Sequence, residues 1–332
     1  MNSNRLYFLL IIPFFFAICQ VLNFPSVIPS HSNPQIQKSN ELVANNLIFK
    51  STDNGQSWKD ISKGLPENIK TDNFFVNNKG LYMLSGVEVY HSKSKSVDPI
   101  WEKEIFKKDL GTITVCKSGM YAFTYNGKIS RKLAGSNTWS PIYENFPSKN
   151  LRSIFETSNG AVLIGCNNGL FRSTNLGKTW HQVRKFGWII KILESNGVLI
   201  ATSQDGIIRS SDDGENWNEV VNEGGVGIDV ANISHGFAAI TYNTESKTRR
   251  VRASMDGGKT WQPIDADLPA HDLIANIIQV GDYLFCGHPK GIFRSTNKGK
   301  TWELIFPSIG EKVFNLSSMG KVIYAFPRVG GC

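Results

Sequence analysis

Short apolar runs of four to six residues, separated by polar turns that contain Gly, dominate the chain after residue 40. Examples are 161–166, 197–201 and 283–286, with Ser–Asn–Gly, Asn–Asn–Gly, Gln–Asp–Gly and Pro–Lys–Gly as turns between such runs. Turn sequences of this kind are typical of hairpins. No stretch keeps the apolar period of 3.6 residues that an amphipathic helix requires. The pattern therefore predicts an all-β chain built from hairpins.

One eight-residue segment recurs five times and always ends in tryptophan. It begins with Ser, carries Asp or Asn at its third position and has Gly at its fifth. We call these segments the box turns, and they occupy 51–58, 173–180, 210–217, 254–261 and 295–302. Their third and eighth residues are Asp53, Trp58, Asn175, Trp180, Asp212, Trp217, Asp256, Trp261, Asn297 and Trp302. Weaker copies end at Trp101 and Trp139, so seven tryptophans follow one another at intervals of 37 to 44 residues.

A period near 40 residues, filled by short strands, predicts four-stranded propeller blades. In each blade a third strand such as 169–173 leads through the box turn into a fourth strand such as 181–183. Ser and Asp or Asn bond backbone donors of the turn, and Gly supplies its positive φ. The Trp ring is then expected to pack against the neighbouring sheet. Seven tryptophans predict seven blades.

The chain ends predict how the ring of blades closes. Two apolar runs, 312–316 and 322–326, follow Trp302 without a further box turn, and 47–50 precedes Trp58 with little in front of it. The C-terminal runs can therefore supply the inner strands of the blade that the N-terminal part completes, which leaves no open sheet edge. We expect one seven-bladed β-propeller over 41–332, with blade 1 shared by both termini.

The box turns resemble the Asp-box, or BNR, repeat of β-propellers, and the resemblance covers about 290 residues. It implies the propeller fold and says little about activity, because Asp-boxes in such families are surface hairpins away from the active site. Asp-boxes occur in sialidases and in xyloglucan-cleaving glycosidases. A single seven-bladed Asp-box propeller with an export leader is also similar to photosystem II assembly factors. That resemblance implies binding of a nascent membrane subunit through basic residues of the propeller.

The N-terminal 22 residues predict export. Residues 6–18 form an apolar run behind Arg5 that is shorter than the roughly 20 residues of a membrane span. Three alternatives stay open: a cleaved signal peptide, a retained membrane anchor, and lipid attachment at Cys19. Residues 23–40, rich in Pro, Ser and Asn, predict a flexible linker. The chain is therefore expected in the periplasm, at the cell surface or secreted.

Charge and composition narrow the class of partner. Hydrophobic residues make up 41 % and charged residues 19 %, which excludes coiled-coil and wholly disordered chains. The net charge of +8 favours an acidic partner. The aromatic residues that interleave with bases in single-strand nucleic acid binders are missing around the basic positions described next, so no nucleic acid partner is expected.

Basic residues recur eight positions before the repeat tryptophans. Six of the seven equivalent positions are basic, and the seventh is Ala253. Equivalent positions of a propeller form a ring, so these side chains predict a basic ring that attracts an anionic partner. The alternative is structural, with each stem packed on apolar surface and each head paired to the adjoining blade. The basic ring comprises Lys50, Lys93, Arg131, Arg172, Arg209 and Arg294.

No residue is assigned a catalytic role. Sialidases carry an Arg–Ile–Pro motif and three arginines that clamp a carboxylate, whereas this chain has only Phe326–Pro–Arg–Val329, and xyloglucanases of this type need two tandem propellers. A glycosidase would still need two carboxylates about 5–10 Å apart. The unranked candidates are Asp109, Glu156, Glu194, Asp229 and Asp272, with Trp188, Tyr125 and Tyr242 as candidate flanking aromatics.

Metal and cofactor chemistry has no motif in the chain. The five cysteines and six histidines match neither zinc spacing nor HExxH, and the Gly–Lys–Thr strings belong to box turns rather than phosphate loops. Cys116, Cys166 and Cys286 lie in apolar runs and are expected to be small buried hydrophobes. The sequence thus predicts an exported, non-enzymatic platform that presents one propeller face to a protein or anionic polymer. The alternative is a carbohydrate-binding protein or divergent glycoside hydrolase.

Overall fold

The computed structural model describes residues 46–67, 69–77, 80–86, 88–92, 99–105, 112–124, 126–136 and 138–327. The predicted leader and linker lie outside these described residues. Within them the fold is all-β, with no helix, and forms a seven-bladed β-propeller of seven four-stranded antiparallel sheets. Accordingly, the described part of the chain offers no helix long and apolar enough to cross a membrane.

The blades are numbered by their tryptophans, so blade 1 contains Trp58. Blade 1 receives β1 (Phe49–Ser51) and β2 (Lys59–Asp60) from the N-terminal side and β27 (Phe314–Met319) and β28 (Val322–Pro327) from the C-terminal side. The strands of blades 2 to 4 are β3 (Asn73–Asn77), β4 (Gly80–Ser85), β5 (Glu88–Ser92), β6 (Glu102–Ile105), β7 (Thr112–Cys116), β8 (Gly119–Phe123), β9 (Ile129–Leu133), β10 (Ser140–Ile142), β11 (Leu151–Glu156), β12 (Val162–Cys166), β13 (Gly169–Ser173) and β14 (His181–Arg184). Those of blades 5 to 7 are β15 (Ile189–Ser195), β16 (Val198–Ser203), β17 (Gly206–Ser210), β18 (Asn218–Val221), β19 (Gly225–Ile233), β20 (Gly236–Asn243), β21 (Thr248–Ser254), β22 (Gln262–Pro263), β23 (Ile277–Val280), β24 (Tyr283–His288), β25 (Gly291–Ser295) and β26 (Glu303–Pro307).

Blade 1 closes the ring as the chain ends predict. Its strand order is β2-β1-β28-β27, so the C-terminal hairpin supplies the two inner strands and the N-terminal part the two outer ones. Phe49 of β1 stands opposite Ala325 of β28. The first C-terminal strand begins at Phe314, two residues later than the apolar run at 312–316 indicates, because a turn joins Ile309 to Lys312. Joining first and last strands in one sheet removes the free edges of the ring.

The hydrophobic core lies between the blades. In the described residues it divides into seven clusters, and each cluster joins two adjacent blades. Between blades 1 and 2, for example, Ile48 and Tyr324 pack with Met83, and all three are fully buried. The first strands of the blades contact one another in cyclic order, β3, β7, β11, β15, β19, β23 and β27, and so surround the propeller axis.

Strand direction assigns the loops to two faces. In each antiparallel blade the innermost strand begins on one face, which we call the mouth face, and ends on the other, which we call the box face. The turn between second and third strands and the connection to the next blade therefore lie on the mouth face. The turn between first and second strands and the box turn belong to the box face. This division decides which residues can meet.

Candidate functional site

The box turns are closed by their own Ser and Asp or Asn side chains. In blade 1, Ser51 Oγ donates to Asp53 at 2.8 Å and accepts the Gly55 N–H at 2.9 Å. Asp53 Oδ1 also accepts the Ser57 N–H at 3.0 Å. Asn54 and Gly55 both have positive φ, of 58° and 81°, as the sequence led us to expect for the Gly. The hydrogen bonds to Asp53, led by that from the Ser57 hydroxyl, lower its pKa to about 2.

The same turn recurs in four more blades with Asp and Asn interchangeable at the third position. Asn175 and Asn297 accept the backbone N–H of the residue four positions on at 2.9 Å, and Asp212 and Asp256 do so at 3.0 Å. Since Asn performs the same bonding without a charge, the box side chain acts as a hydrogen-bonding group of the turn. The structural role of the ten box residues stays a prediction.

The box tryptophans pack across blade interfaces. Trp180 of blade 4 makes edge contacts with Tyr143 and Phe146, which follow the last strand of blade 3, at ring distances of 5.3 and 5.0 Å. Trp302 of blade 7 donates its indole N–H to the Ile264 carbonyl of blade 6 at 2.7 Å. Trp101, at the end of a weaker copy, donates to Ile61 of blade 1 in the same way at 2.8 Å. These three tryptophans therefore join their own blades to the preceding ones, whereas Trp58, Trp217 and Trp261 donate their indole N–H to the Gly carbonyl of their own box turn.

Three arginines of the predicted basic ring lie against the box turn of the following blade. Arg172 Nε donates to the Asp213 carbonyl at 2.8 Å, Arg209 Nε to the Gly257 carbonyl at 2.7 Å, and Arg294 Nη1 to the Asn54 carbonyl at 3.0 Å. All three acceptors are the fourth residue of a box turn and have positive φ. Arg172 adds ion pairs with the carboxylates of Asp213 and Glu215 at 2.9 and 2.8 Å.

The remaining positions of the ring differ from these three. Arg131 lies in β9, half-buried, and no bond of this kind joins it to the blade 4 box within the described ranges. Lys50 lies in β1, and Lys93 is outside the described residues. Ala253 offers no donor to the blade 7 box. The structure thus brings Arg172, Arg209 and Arg294 to equivalent inter-blade contacts, while partner binding by the ring stays a prediction.

Two of the candidate carboxylates hold neighbouring blades together on the box face. Glu156 of blade 4 accepts the Ser118 N–H at 2.7 Å and the Ser118 hydroxyl at 2.6 Å, and Tyr121 of blade 3 also donates to it. Glu194 of blade 5 accepts the Ser158 N–H at 2.7 Å and its hydroxyl. Gln279 replaces the carboxylate between blades 6 and 7 and bonds Ser234. Because an amide serves equally, these acids have the environment of structural groups.

Asp229 joins three successive blades near the propeller axis. It is 5 % exposed. Its carboxylate forms an ion pair with the ammonium of Lys191 of blade 5 at 2.7 Å and accepts a hydrogen bond from the Ile277 N–H of blade 7 at 3.0 Å. Asp272 is exposed and contacts the imidazole Nδ1 of His271 at 2.8 Å. Asp109 and Tyr125 lie outside the described residues, and Trp188 and Tyr242 are half-buried.

Histidine and cysteine side chains do not form a reactive centre in the described residues. His288 is buried, accepts the Lys290 N–H at 3.0 Å and contacts the Pro269 carbonyl at 2.9 Å, and burial lowers its pKa. Cys166 and Cys286 are buried as predicted, whereas Cys116 is partly exposed. Although Cys116 is partly exposed, the protein around its thiol removes most of the solvent from it, and this desolvation raises the pKa of Cys116 to about 12. Among the described side chains, no group of three or more His, Cys, Asp or Glu is placed to hold a metal ion.

A recess of about 400 Å³ opens where the innermost strands of blades 2 to 5 begin. We call it the channel mouth, because the first residues of these strands surround the propeller axis on the mouth face. Leu84, Phe123, Leu151 and Ile190 line it with apolar side chains, and Asp72 and Arg152 add opposite charges. The lining residues are Asp72, Asn73, Leu84, Gly86, Thr112, Phe123, Leu151, Arg152 and Ile190.

A second recess continues from the channel mouth over blade 2. It measures about 620 Å³ and shares Asp72 and Gly86 with the first. Tyr90 and Ile69 give it an apolar side, and Glu88 and Lys103 pair across its wall. The two recesses adjoin at Asp72 and Gly86, and together we call them the groove.

Sequence reasoning did not find the residues of the channel mouth. They come from four blades and share no motif, so no repeat position marks them. One local signal was available: Ile189–Ile190–Lys191 breaks strand alternation, and the structure exposes both Ile190 and Lys191 there. The candidates drawn from repeat positions lie on the box face or between blades instead.

A scan of protein-family models and a search of curated proteins find no match. Solved structures do resemble the fold. The extracellular domain of a one component system from B. thetaiotaomicron matches with a TM-score of 0.58 and 14 % identity over 73 % of this chain and 35 % of that chain. An ancestral GH74 enzyme matches with a TM-score of 0.58 and 13 % identity over 85 % of this chain and 45 % of that chain. YCF48, solved with a D1 peptide, matches with a TM-score of 0.55 and 11 % identity over 80 % of this chain and 94 % of that chain.

These likenesses show the fold alone, because all three identities are below 25 %. The chain spans about a third of the length of the one component system domain and under half of that of the GH74 enzyme. The neighbours include an extracellular domain, an enzyme and a peptide-bound protein, so the same propeller serves different functions. Membership of the Asp-box family stays a prediction carried by the box turns.

Proposed function

We propose that this chain is an exported binding protein that takes a segment of a protein partner in the groove at its channel mouth. The observation that carries the proposal is the groove itself: two adjoining recesses lined by apolar side chains and by side chains of both charges. Such mixed, concave surfaces are where ligands bind most often. In this proposal, the mouth face is the binding face of the platform that the sequence predicts.

The comparisons support a protein ligand. One similar propeller is YCF48 bound to a D1 peptide, and it shares nearly its whole length with this chain. Another is an extracellular domain, which is compatible with the export that the N-terminal run predicts. The partner of this chain does not follow from theirs, since the identities are low.

The carbohydrate alternative has weaker support from the geometry. Glu156, Glu194 and Asp229 are engaged in inter-blade bonds, and Asp272 contacts His271. A glycosidase needs one carboxyl that protonates the leaving group and a second that acts as base or nucleophile. Because an ancestral GH74 enzyme has a similar fold, carbohydrate binding is the second outcome for which binding experiments should test.

A peptide selection tests the proposal. The purified full-length chain is presented to a phage library of random peptides, and enriched peptides are measured against two variants. Ile190→Glu places a charge in the channel mouth, and Lys321→Glu places the same residue at an exposed position on the box face. Peptides that bind wild type and Lys321→Glu but lose affinity about tenfold or more for Ile190→Glu are expected. No enrichment, or peptides indifferent to Ile190→Glu, would overturn the proposal.

A further inference from the structure

The innermost strands of blades 4 and 5 each carry a β-bulge at the mouth face. In β11, Leu151 and Ser153 stand opposite Cys166 and Gly165, which leaves Arg152 without an opposite residue. In β15, Ile189 and Ile192 stand opposite Ser203 and Ala201, so Ile190 and Lys191 together oppose Thr202. The first strands of blades 2 and 3 keep regular register over their described pairs, whereas the first strand of blade 6 also has a register shift, between Gly227 and Asp229. Bulges of this kind redirect side chains and are common at barrel rims and beside active sites.

The bulges are held in place by their own hydrogen bonds. Ser153 Oγ, which is buried, donates to the Ile189 carbonyl of the next blade at 3.0 Å. The Lys191 N–H donates to Thr202 Oγ1 at 3.0 Å, so the amide that the bulge removes from the ladder keeps a partner. Arg152 Nε donates to Asn167 at 2.6 Å, which fixes the stem of that side chain at the mouth. The redirected side chains are therefore a stable part of the surface.

Apolar and basic side chains are exposed in the bulges and in the connections that lead into them. Phe186, in the connection into β15, is 78 % exposed, and Ile190 is 39 % exposed. The exposed bases of the same strands and connections are Lys149, Arg152, Lys185 and Lys191, and Arg152 lines the channel mouth together with Ile190. Of the carboxylates in the same strands and loops, Asp205 and Glu219 pair with Arg184 and Asp229 pairs with Lys191, while Glu144 is exposed. Apart from these ion pairs, Lys149, Arg152 and Lys185 outnumber Glu144 on blades 4 and 5, so positive charge is in excess there.

We infer that the segment bound at the channel mouth is an acidic peptide with bulky apolar residues, seated over blades 4 and 5. Its apolar side chains pack on Ile190 and Phe186, and its carboxylates meet Arg152 and Lys185. Exposed aromatic and aliphatic side chains rimmed by charge are the usual anchor of a protein interface. Complementary charge sets which partners are accepted. The inference rests on the proposed function and names its partner class.

Four short fluorescein-labelled peptides test the inference by fluorescence anisotropy on the full-length chain. The first carries Glu–Glu–Leu–Phe–Glu between Gly–Ser flanks. In the others, Gln replaces every Glu, Lys replaces every Glu, or Ala replaces Leu and Phe. The first peptide is expected to bind about tenfold more tightly than the Gln and Ala peptides and to lose affinity as salt rises. The Lys peptide is expected to bind most weakly.

Two double variants with the same change of net charge separate the site from general electrostatics. Arg152→Gln with Lys185→Gln should weaken the acidic peptide about tenfold and leave the Gln peptide unchanged. Lys259→Gln with Lys300→Gln, on exposed lysines of the box turns, should leave both peptides unchanged. Equal effects of the two double variants would overturn the inference.

The result also distinguishes this inference from the proposed function. If the Gln or Lys peptide binds as tightly as the acidic one and Ile190→Glu abolishes that binding, the mouth binds peptides and the acidic preference is wrong. If all four peptides fail to bind, the acidic inference is wrong, and the phage selection decides the proposed function on its own.

Discussion

The guanidinium of Arg172 in blade 4 donates through Nε to the backbone carbonyl of Asp213 in blade 5, over 2.8 Å. Asp213 has a φ of 60°, and the same contact recurs from Arg209 to Gly257 and from Arg294 to Asn54. A residue of the third strand thus bonds the positive-φ residue of the next box turn. The repeat joins blades around the ring as well as closing each turn.

Arg172→Ala is expected to destabilise the chain by about 1–3 kcal/mol. The Arg172 side chain is only 14 % exposed, and its loss removes the donor to the Asp213 carbonyl and the cation that pairs with Asp213 and Glu215. Arg131→Ala is the matched control at the equivalent position of blade 3 and should cost about 0.5 kcal/mol or less. Thermal or urea unfolding of the two variants measures the difference. Equal losses would show that the inter-blade bond contributes nothing particular.

Arg131 also tests whether the basic ring binds an anionic partner. Its removal takes away one charge of the ring without breaking a described box contact. If the ring attracts an acidic polymer, Arg131→Ala should weaken binding of polyglutamate about two- to fivefold at low salt while the melting temperature stays unchanged. The measurement is a titration of polyglutamate at two salt concentrations. An unchanged affinity would leave the structural role as the sole explanation of the ring.

Acid should weaken the box turns that contain Asp. Hydrogen bonds hold the pKa of Asp53 at about 2 and lower the pKa of Asp256, so each carboxylate stabilises the fold above its unfolded pKa near 4 and loses that effect as pH falls toward 2. The double variant Asp53→Asn with Asp256→Asn mimics the Asn boxes. It should be less stable than wild type at pH 7 and approach it near pH 2. The measurement is the urea midpoint of unfolding of both proteins from pH 7 to pH 2. A difference in midpoint that stays constant over this pH range would contradict the prediction.

The backbone at Gly169, the first residue of β13, requires a glycine. Its φ is 122°, and an added Cβ would lie 1.9 Å from the Arg184 carbonyl oxygen. Gly169→Ala should therefore cost about 3 kcal/mol or more, since both a strained dihedral and a backbone clash arise. Gly197→Ala is the control, with a φ of 74° and open space around the added atom, and should cost about 1–2 kcal/mol. Similar melting temperatures of the two variants would show that the strand relaxes.

The sequence by itself determined the architecture. Box turns with Ser, Asp or Asn, and Gly carry their own closing bonds, so their count and spacing predicted seven blades before any long-range contact was known. The apolar runs after Trp302 predicted the shared blade for the same reason, because unpaired strands must find an edge. Each box turn depends on residues within eight positions of one another, and local pattern reports it directly.

Only the tertiary structure decided which side chains meet at the axis and between blades. Arg172 and Asp213 are 41 positions apart, and the channel mouth unites Asp72, Thr112, Arg152 and Ile190 from four blades. The sequence placed the ring arginines at equivalent positions but left open whether they face solvent or the next box turn. At the channel mouth, the bulges at Arg152 and Ile190 set the directions of the side chains, because a single extra residue turns a side chain to the other face. That depends on pairing between strands, which no local pattern contains.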